Sequence, residues 1–232
     1  MTVAPWLEVD LGPGVRAGFS TVELGNLGLA VGDDPDAVAR RRRLVAQWAG
    51  GPVAWAHQVH GTAVHLALAG GDDVASCDAL VGTGPVGLAV QVADCVPVLL
   101  ADAAAGVVGA AHAGRRGLVA GVVDAAVRAM HAAGATRIRA VVGPAICGAC
   151  YEVPAELRDE VEAAVPGTSS TTSWGTPALD LPGAVVALLA ARGVAVDDVG
   201  LCTRTDPRFY SHRGAGQGAG PAGRIAGVVR LT

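Results

Sequence analysis

The stretch PVGLAVQVADCVPVLLADAAAGVVGAAHA, residues 85–113, decides how this chain folds. It contains three short apolar runs, at 85–92, 96–101 and 106–111, and each run is closed by polar residues or glycine. Runs of this length and composition are typical of strands that are buried on both faces. The stretch therefore predicts three consecutive buried strands.

Reactive side chains lie where these runs end. Cys95 follows the first run, His112 follows the third 17 residues later, and His60 stands upstream in the segment His-Gln-Val-His-Gly. Two histidines and one cysteine at separate strand ends can form a zinc site with one open position, the arrangement of catalytic zinc. Cys95 and His112 can instead form a nucleophile and base pair, and both alternatives make the chain an enzyme. The structural alternative is that the histidines are core residues and Cys95 is a small buried hydrophobe.

The composition is that of a packed globular protein. Hydrophobic residues make up 51% of the 232 positions, charged residues make up 16%, and the net charge is −4. We expect one domain over residues 1–232. The negative charge gives no general attraction to nucleic acid or to an anionic membrane, so neither is an expected partner. The chain has no lysine, which excludes Schiff-base and Walker lysines and leaves anion binding to arginine.

The chain is expected to act in the cytoplasm. Residues 1–6 lack a basic segment followed by an apolar stretch, so no signal peptide is predicted. The later apolar runs are interrupted before they reach membrane-spanning length. Five cysteines, an odd number in a chain without an export signal, predict reduced thiols rather than a disulfide framework. The sequence does not indicate the oligomeric state.

Hydrophobic periodicity predicts a mixed α/β chain. The predicted helices cover 36–48, 117–133, 154–165 and 181–191, with Asp33 and Asp34 near the start of the first and Asp180 as the N-cap of the last. The other predicted strands cover 14–21, 52–56, 62–69, 137–142, 196–202, 209–212 and 225–231, and 214–223 is predicted to be a flexible loop. Strands and helices do not alternate regularly, which favours a mixed-sheet α/β sandwich over a doubly wound sheet.

Three further motifs carry charge or thiols. Gly114-Arg115-Arg116-Gly117 lies between a strand and a helix, where backbone N–H groups and guanidinium groups can hold phosphate. Cys147 and Cys150 have the spacing of a redox motif, but no second such pair is present, so we expect ordinary reduced thiols. The run Arg40–Arg43 lies on a helix and is mainly a solvated face, with one arginine able to turn inward.

Several segments together resemble the YfiH/YlmD family, also called laccase-domain or multicopper polyphenol oxidoreductase proteins. They follow the order of the family from about residue 14 to the C-terminus, and each is weak evidence alone. The segments are Gly18-Phe19-Ser20-Thr21, Asn26-Leu27-Gly28, Val31-Gly32-Asp33-Asp34, Gln58-Val59-His60-Gly61, Ala93-Asp94-Cys95-Val96-Pro97, His112-Ala113-Gly114, Gly143-Pro144-Ala145-Ile146, Tyr151-Glu152-Val153, Cys202-Thr203 and Phe209-Tyr210-Ser211-His212-Arg213.

The resemblance implies a fold, a metal and an activity. The fold is a single mixed α/β sandwich domain, and the metal is zinc bound by His60, Cys95 and His112. The activity is phosphorolysis of adenosine, inosine and methylthioadenosine, with some adenosine deaminase activity, so a purine nucleoside and phosphate are the expected partners. Copper oxidation is disfavoured because the chain lacks the His-x-His pairs of copper centres.

Roles within that activity are hypotheses. Cys95, His112 and Asp94 are the catalytic candidates, with Asp94 as an acid/base or as a residue that orients a ligand. Arg116 is the first candidate for phosphate, and Arg42 and Arg213 are weaker ones. One branch of the family implies a different reaction, the removal of L-Ser from a UDP-muramoyl amino acid during peptidoglycan editing. A third alternative is a zinc-stabilised, non-catalytic partner-binding protein.

The chain departs from the family pattern at three places. The segment Val22–Gly25 replaces a longer loop that contains arginine and paired glycines. Arg115 stands where the family often has tryptophan, and Gly214 replaces the second arginine of a late Ser-His-Arg-Arg pattern. The expectation for substrate contacts therefore rests on fewer matching residues than the expectation for the metal site.

Overall fold

The structure is a computed structural model that describes residues 4–72 and 74–232. The strands are β1 (Trp6–Val9), β2 (Val15–Ser20), β3 (Val53–Trp55), β4 (Val64–Leu66), β5 (Ala79–Gly82), β6 (Gly87–Val92), β7 (Val96–Asp102), β8 (Val107–Ala113), β9 (Arg139–Val142), β10 (Ser169–Thr171), β11 (Pro177–Leu179), β12 (Ala195–Asp198) and β13 (Ile225–Leu231). The helices are α1 (Pro35–Ala49), α2 (Arg115–Ala120), α3 (Val122–Ala132), α4 (Ala155–Ala164), α5 (Leu181–Ala191) and α6 (His212–Gly216).

Two mixed sheets form the centre of the molecule. The first has the strand order β1-β2-β13-β6-β3, antiparallel except for the parallel pair β3 and β6. The second has the order β12-β9-β7-β8-β5-β4, with parallel pairs at both edges and antiparallel pairs between them. β10 and β11 form a separate hairpin ladder. The predicted mixed-sheet α/β sandwich is confirmed.

The core has three apolar layers. Side chains from both sheets meet between them, among them Leu88, Leu99 and Val229. The outer face of the six-stranded sheet packs on α3 and α5, and the outer face of the five-stranded sheet packs on α1. Because successive strand residues point to opposite faces, Val98 and Leu99 enter different layers. This explains why the central strands are apolar at nearly every position.

Aspartate side chains cap the starts of two helices. Asp34 accepts a hydrogen bond from the N–H of Asp36 at the start of α1, and Asp180 accepts one from Gly183 at the start of α5. The Asp180 cap was predicted from the sequence and is confirmed, whereas Asp34 was predicted only as an acidic residue near the start of the first helix. No helix in the described ranges is long and apolar enough to span a membrane.

Several predicted boundaries were wrong, and the strand predicted over 62–69 is limited to Val64–Leu66. The predicted helix over 117–133 begins at Arg115 and is divided by Gly121, which has a φ of +95°. The predicted strand over 209–212 is a turn that leads into α6, and α6 also occupies the start of the predicted loop over 214–223. The predicted strand over 196–202 ends at Asp198. Glycine and short polar side chains that bond the local backbone interrupt these segments, which apolar periodicity alone does not register.

The connection from β6 to β7 positions the centre described next. β6 belongs to the five-stranded sheet and β7 to the six-stranded sheet, so the three residues between them cross from one sheet to the other. Cys95 is the last of these three residues. The segment therefore presents a thiol at an end of the sandwich where the two sheets part.

A candidate metal centre between two cavities

His60, Cys95 and His112 come together, as the sequence predicted. Their nearest nitrogen and sulfur atoms all lie within 4.8 Å of one another, and Cys95 Sγ is 3.9 Å from His60 Nε2. The two imidazole rings meet edge to face with centroids 4.8 Å apart. His112 is buried, Cys95 is half-buried and His60 is exposed, so the group opens toward solvent on one side.

Each side chain is held by a different element. His112 is the penultimate residue of β8, Cys95 precedes β7, and His60 lies in the loop between β3 and β4. His60 and Asp94 have positive φ values of 61° and 81°, and among the described residues they are the only ones besides glycine that do. Positive φ is unfavourable for L-residues and persists where the surroundings enforce it. Two such residues at one site indicate that the fold fixes these side chains.

Asp78 completes the centre and was missed from the sequence. Its fully buried carboxylate accepts hydrogen bonds from the backbone N–H groups of His60 and Gly61, at 2.9 and 2.7 Å. It also contacts His112 Nδ1 at 2.9 Å. Asp78 therefore shapes the His60 loop and orients the His112 ring, so that Nε2 is the nitrogen that points toward Cys95. The only sequence signal was a lone acidic residue at the start of an apolar strand.

The electrostatics favour a thiolate beside an imidazolium. Burial raises the pKa of Cys95, but hydrogen bonds to His112 and His60 outweigh burial and lower that pKa to about 6. Burial lowers the pKa of His112, but hydrogen bonds to Asp78 and Cys95 raise it to about 9. Burial likewise opposes ionisation of Asp78, yet the hydrogen bond from His112 and those from the backbone hold the pKa of Asp78 below its ordinary value. At neutral pH the centre carries the deprotonated sulfur that metal ions bind.

Gly114 forms the back wall of the centre. A methyl group at this position would lie 2.8 Å from His60 Cδ2 and 3.1 Å from Cys95 Sγ. The φ of Gly114 is −77°, which any residue adopts, so the requirement for glycine is one of space alone. This explains a glycine directly after the His-Ala pair.

The donor set fits zinc. Bond lengths of about 2.1 Å for Zn–N and about 2.3 Å for Zn–S separate neighbouring ligand atoms of a tetrahedron by about 3.5 Å. The observed 3.9 Å between Cys95 Sγ and His60 Nε2 needs only a small adjustment. A carboxylate on the distal nitrogen of a histidine ligand is also the usual support of a metal site, and Asp78 supplies it to His112.

A first cavity of about 370 Å³ opens on one side of the centre. Three arginines line it, Arg115 and Arg116 from the start of α2 and Arg213 from α6, together with Tyr151 and His212. Within residues 4–72 and 74–232, the Arg116 guanidinium forms no hydrogen bond or ion pair, whereas Arg213 Nη1 donates to the carbonyl of Glu152 at 2.8 Å. This cavity is suited to an anion, since guanidinium groups bind phosphate and carboxylate.

A second cavity of about 540 Å³ opens on the other side. Its walls combine apolar groups of the segment 28–31 and Val92 with the amides of Gln58 and Gln91. The imidazoles of His57 and His112 and the guanidinium groups of Arg42 and Arg224 also line it. His60, Cys95 and His212 line both cavities. The candidate metal centre therefore stands between an arginine-rich cavity and a larger cavity whose lining mixes apolar, amide, imidazole and guanidinium groups.

Asp94 and Arg42 make internal contacts. The Asp94 carboxylate accepts hydrogen bonds from Thr203 Oγ1 and from the Arg213 backbone N–H, both at 2.6 Å, so it fixes the start of α6. Arg42 is the inward-turned member of its run: it donates from Nε and Nη2 to the carbonyl of Leu27, pairs with Asp72 and stacks over Trp55. These contacts occupy the guanidinium of Arg42 and give the side chain a packing role at the edge of the second cavity.

His212, Tyr151 and Arg224 were not singled out as site residues from the sequence. His212 is the first residue of α6 and is exposed between the two cavities. Burial raises the pKa of the Tyr151 phenol, and the charges of Arg115 and Arg213 partly oppose this. Burial lowers the pKa of Arg224, while the negative charges of Cys95 and Asp94 act to raise it. The motif Phe-Tyr-Ser-His-Arg was the available signal for His212.

The fold and the centre together define a mixed α/β sandwich protein with a two-histidine, one-cysteine site at an end of its two sheets. A family model described as "Multi-copper polyphenol oxidoreductase laccase" matches residues 14–232, and the chain belongs to this family, the YfiH/YlmD family. The resemblance inferred from the sequence is confirmed.

Three relatives show the extent of the similarity. The purine nucleoside phosphorylase ORF3 of Streptomyces griseus is 52% identical over 216 residues, which cover 89% of this chain and 86% of that protein. The crystal structure of Neisseria meningitidis protein NMB0706 has a TM-score of 0.85 and 32% identity, covering 98% of this chain and 99% of the other. YlmD from Geobacillus stearothermophilus has a TM-score of 0.84 and 29% identity, covering 100% and 97%. The name of the first relative supports an enzyme.

Proposed function

We propose that this chain is a cytoplasmic purine nucleoside phosphorylase. Adenosine, inosine and methylthioadenosine are the proposed substrates, with phosphate as the second substrate. One observation carries the proposal: two cavities of different character meet at His60 and Cys95. Phosphorolysis needs such an arrangement, because an anion and a neutral nucleoside must approach the same carbon atom.

The arginine-rich cavity is the proposed phosphate site. Arg116 is the leading ligand because its guanidinium has no partner within the described ranges, and Arg115 and Arg213 add positive charge. Arg42 is no longer proposed, since its donors are used by Leu27 and Asp72. The second cavity is the proposed site of the purine, because Gln58 and Gln91 offer amide groups there beside apolar walls.

The proposed reaction forms one bond and breaks one. A phosphate oxygen bonds to C1′ of the ribose, the bond between C1′ and the purine nitrogen breaks, and its electron pair leaves with the base. For adenosine and inosine the products are ribose 1-phosphate and the free purine, which takes up one proton; methylthioadenosine would give 5-methylthioribose 1-phosphate instead. His212 borders both cavities and is the side chain placed to give that proton, so it acts as general acid in the proposal.

His60, Cys95 and His112 are the proposed zinc ligands. A bound zinc ion would supply a positive charge that polarises substrate oxygen atoms and would lower the pKa of a water molecule. Asp78 keeps His112 in the orientation that such binding requires. We extend the proposal to adenosine deamination, which needs an activated water near the purine. Copper oxidation is not proposed, because the chain contains no His-x-His pair.

Amide hydrolysis is the second candidate function, and one observation favours it. Cys95, His112 and Asp78 form a thiolate, imidazole and carboxylate series of the kind that activates a nucleophile. The removal of L-Ser from a UDP-muramoyl amino acid would use that series, with the arginine-rich cavity holding the diphosphate. Phosphorolysis remains the leading proposal because a relative 52% identical to this chain is named for it.

The test is incubation with inosine, with and without phosphate, followed by chromatography of the products. Phosphate-dependent release of hypoxanthine and ribose 1-phosphate is expected, and it should be lost in Cys95→Ala. Cys77→Ala is the matched control, since Cys77 is a buried thiol in the core between the sheets. Arg116→Ala should raise the KM for phosphate about tenfold, while Arg128→Ala, which removes an exposed arginine of α3, should not.

Three results would change the assignment. Release of hypoxanthine without phosphate would indicate a hydrolase, and release of L-Ser from the muramoyl substrate alone would support the second candidate. A folded, metal-containing protein that turns over neither substrate would support the non-catalytic alternative.

A further inference from the structure

Three cysteines gather at a second place in the molecule. The sulfur atoms of Cys147, Cys150 and Cys202 all lie within 4.8 Å of one another. Cys147 and Cys150 belong to one loop after β9, and Cys202 comes from the segment after β12, so the sequence spacing gave no indication of the third thiol. We call these residues the thiol cluster.

The backbone around the thiol cluster is already organised. Cys150 N–H and Tyr151 N–H both donate to the carbonyl of Cys147, at 2.9 and 3.0 Å, which closes the Cys-x-x-Cys loop into a tight turn. The two segments are joined by hydrogen bonds between Ala145 and its neighbours on the other segment, Leu201 and Thr203. The three sulfur atoms are therefore brought together by main-chain contacts.

Hydrogen-bond donors face the sulfur of Cys202. The backbone N–H of Cys147 lies 3.4 Å from Cys202 Sγ. N–H groups directed at a sulfur atom stabilise its deprotonated form, in which it binds metal ions. Arg204 adds a positive charge near Cys150, since it acts to lower the pKa of that thiol while burial, the largest effect, raises it. These features would offset part of the negative charge of three thiolates.

We propose that Cys147, Cys150 and Cys202 form a second metal site, which binds one thiophilic cation, Zn²⁺ or Cu⁺, through three thiolates. Thiolates select these ions over hard cations such as Mg²⁺ and Ca²⁺. Zn–S bonds of about 2.3 Å separate sulfur atoms by about 3.8 Å, so a contraction of at most about 1 Å closes the site, since the three sulfur atoms lie within 4.8 Å of one another. Each thiol that binds releases its proton to water, and no electrons are transferred.

The second site would hold two walls of the first cavity in place. Ile146 and Tyr151, which flank the Cys-x-x-Cys loop, both line that cavity. Thr203, next to Cys202, donates to Asp94, and Ile146 N–H donates to the Asp94 carbonyl at 3.0 Å. An ion that joins the two segments would therefore stabilise the surroundings of Asp94 without contacting a substrate.

The test measures metal content and needs no substrate, so its outcome is independent of the proposed function. Cys95→Ala, which removes a ligand of the first centre, is isolated with reductant and incubated with Zn²⁺ or, separately, with Cu⁺. After removal of free metal, mass spectrometry should find one ion per chain. Adding Cys202→Ser or Cys147→Ser should reduce this to none, whereas adding Cys77→Ala should leave it unchanged. Comparison of the two metal arms identifies the preferred ion.

Cys202 and Cys147 are half-buried, so serine is tolerated there more readily than at the buried Cys150, and circular dichroism verifies the fold of each variant. Absence of metal from Cys95→Ala in both arms would overturn the proposal. So would an ion that persists after Cys202→Ser, or a disulfide among the three cysteines in protein isolated with reductant.

Discussion

The two clusters of sulfur-bearing residues differ in their ligands and their surroundings. The first centre combines one thiol with two imidazoles, rests on the Asp78 carboxylate and lies between two cavities. The thiol cluster has three sulfur atoms, is braced by backbone N–H groups and does not line either cavity. Catalytic zinc sites have three protein ligands and an open position, whereas structural zinc sites have four, so it is the thiolate content that sets the thiol cluster apart, because thiolates select soft ions. The proposed roles follow this difference: the first centre, which opens to both cavities, is proposed to be catalytic, and the thiol cluster, which opens to neither, is proposed to stabilise the fold.

The largest expected effect separates the two clusters by function. Under the proposed function, Cys95→Ala should lower kcat/KM for the nucleoside about a thousandfold, because a bound zinc ion would contribute several kcal/mol to stabilisation of the transition state. Cys202→Ser should retain most of the activity but lower the thermal stability. Cys202 would help to join two segments of the chain, and it does not line either cavity. Steady-state kinetics and thermal unfolding of both variants make the comparison. Equal losses of activity in the two variants would contradict the proposal that the first centre is catalytic and the thiol cluster structural.

The second effect concerns the carboxylate that supports the first centre. Asp78→Asn should weaken metal binding there by about tenfold to a hundredfold, the usual cost of removing such a partner. The amide places an N–H group against the donors of His60 and Gly61, so the free energy of unfolding should also fall. Chelator competition and denaturant unfolding report the two effects.

Asp102→Asn is the matched control for Asp78→Asn. Asp102 is a buried carboxylate that accepts backbone N–H groups from Thr136 and Arg137, at 2.8 and 2.7 Å, and it does not line either cavity. Asp102→Asn should lower the free energy of unfolding by a similar amount and leave the metal affinity of the first centre unchanged. Equal metal affinity in the two variants would show that Asp78 acts only through the fold.

The residues of the two clusters differ in how far the sequence alone could predict them. His60, Cys95 and His112 were predictable because they follow apolar runs whose ends converge when strands pack into sheets. Asp78 and Cys202 were not, since their roles depend on which segments the sheet order brings side by side. His212 was hidden by its misassignment to a strand, because the Ser211 cap that starts α6 is a local side-chain hydrogen bond rather than a hydrophobic period.

A third effect is the pH dependence of metal binding. At pH 7 to 9, Cys95, with a pKa of about 6, is already deprotonated, while His112, with a pKa of about 9, still carries a proton that binding must displace. Affinity at the first centre should therefore rise about tenfold per pH unit over this range and level off above pH 9. Below pH 6 the thiol of Cys95 is also protonated, and the slope should steepen.

The thiol cluster should respond to pH more steeply. Burial and the neighbouring Cys202 raise the pKa of Cys147 to about 12, and burial raises that of Cys150 as well. Metal binding must then release at least two protons near neutral pH, so the metal affinity of the thiol cluster should rise about a hundredfold per pH unit. Chelator titrations between pH 7 and 9 report on the thiol cluster in Cys95→Ala and on the first centre in Cys202→Ser. Identical slopes of metal affinity against pH would contradict the protonation states given to the two sets of ligands.

The smallest expected effect tests whether the first centre is sensitive to packing alone. Gly114→Ala places a methyl group 2.8 Å from His60 Cδ2 and 3.1 Å from Cys95 Sγ, without backbone strain because the φ of Gly114 is −77°. Displacing two ligands by a few tenths of an ångström should cut metal affinity and activity about fivefold, well below the hundredfold cost of a full 1 Å misplacement. Gly84→Ala is the control, since no other atom of the described residues, 4–72 and 74–232, lies within 4 Å of the place that its added methyl group would occupy. The thiol cluster should keep its metal in both variants. Unchanged metal affinity at the first centre in Gly114→Ala would mean that the His60 loop moves away from the added methyl group without cost. The hydrogen bonds from the loop to Asp78 predict that it does not.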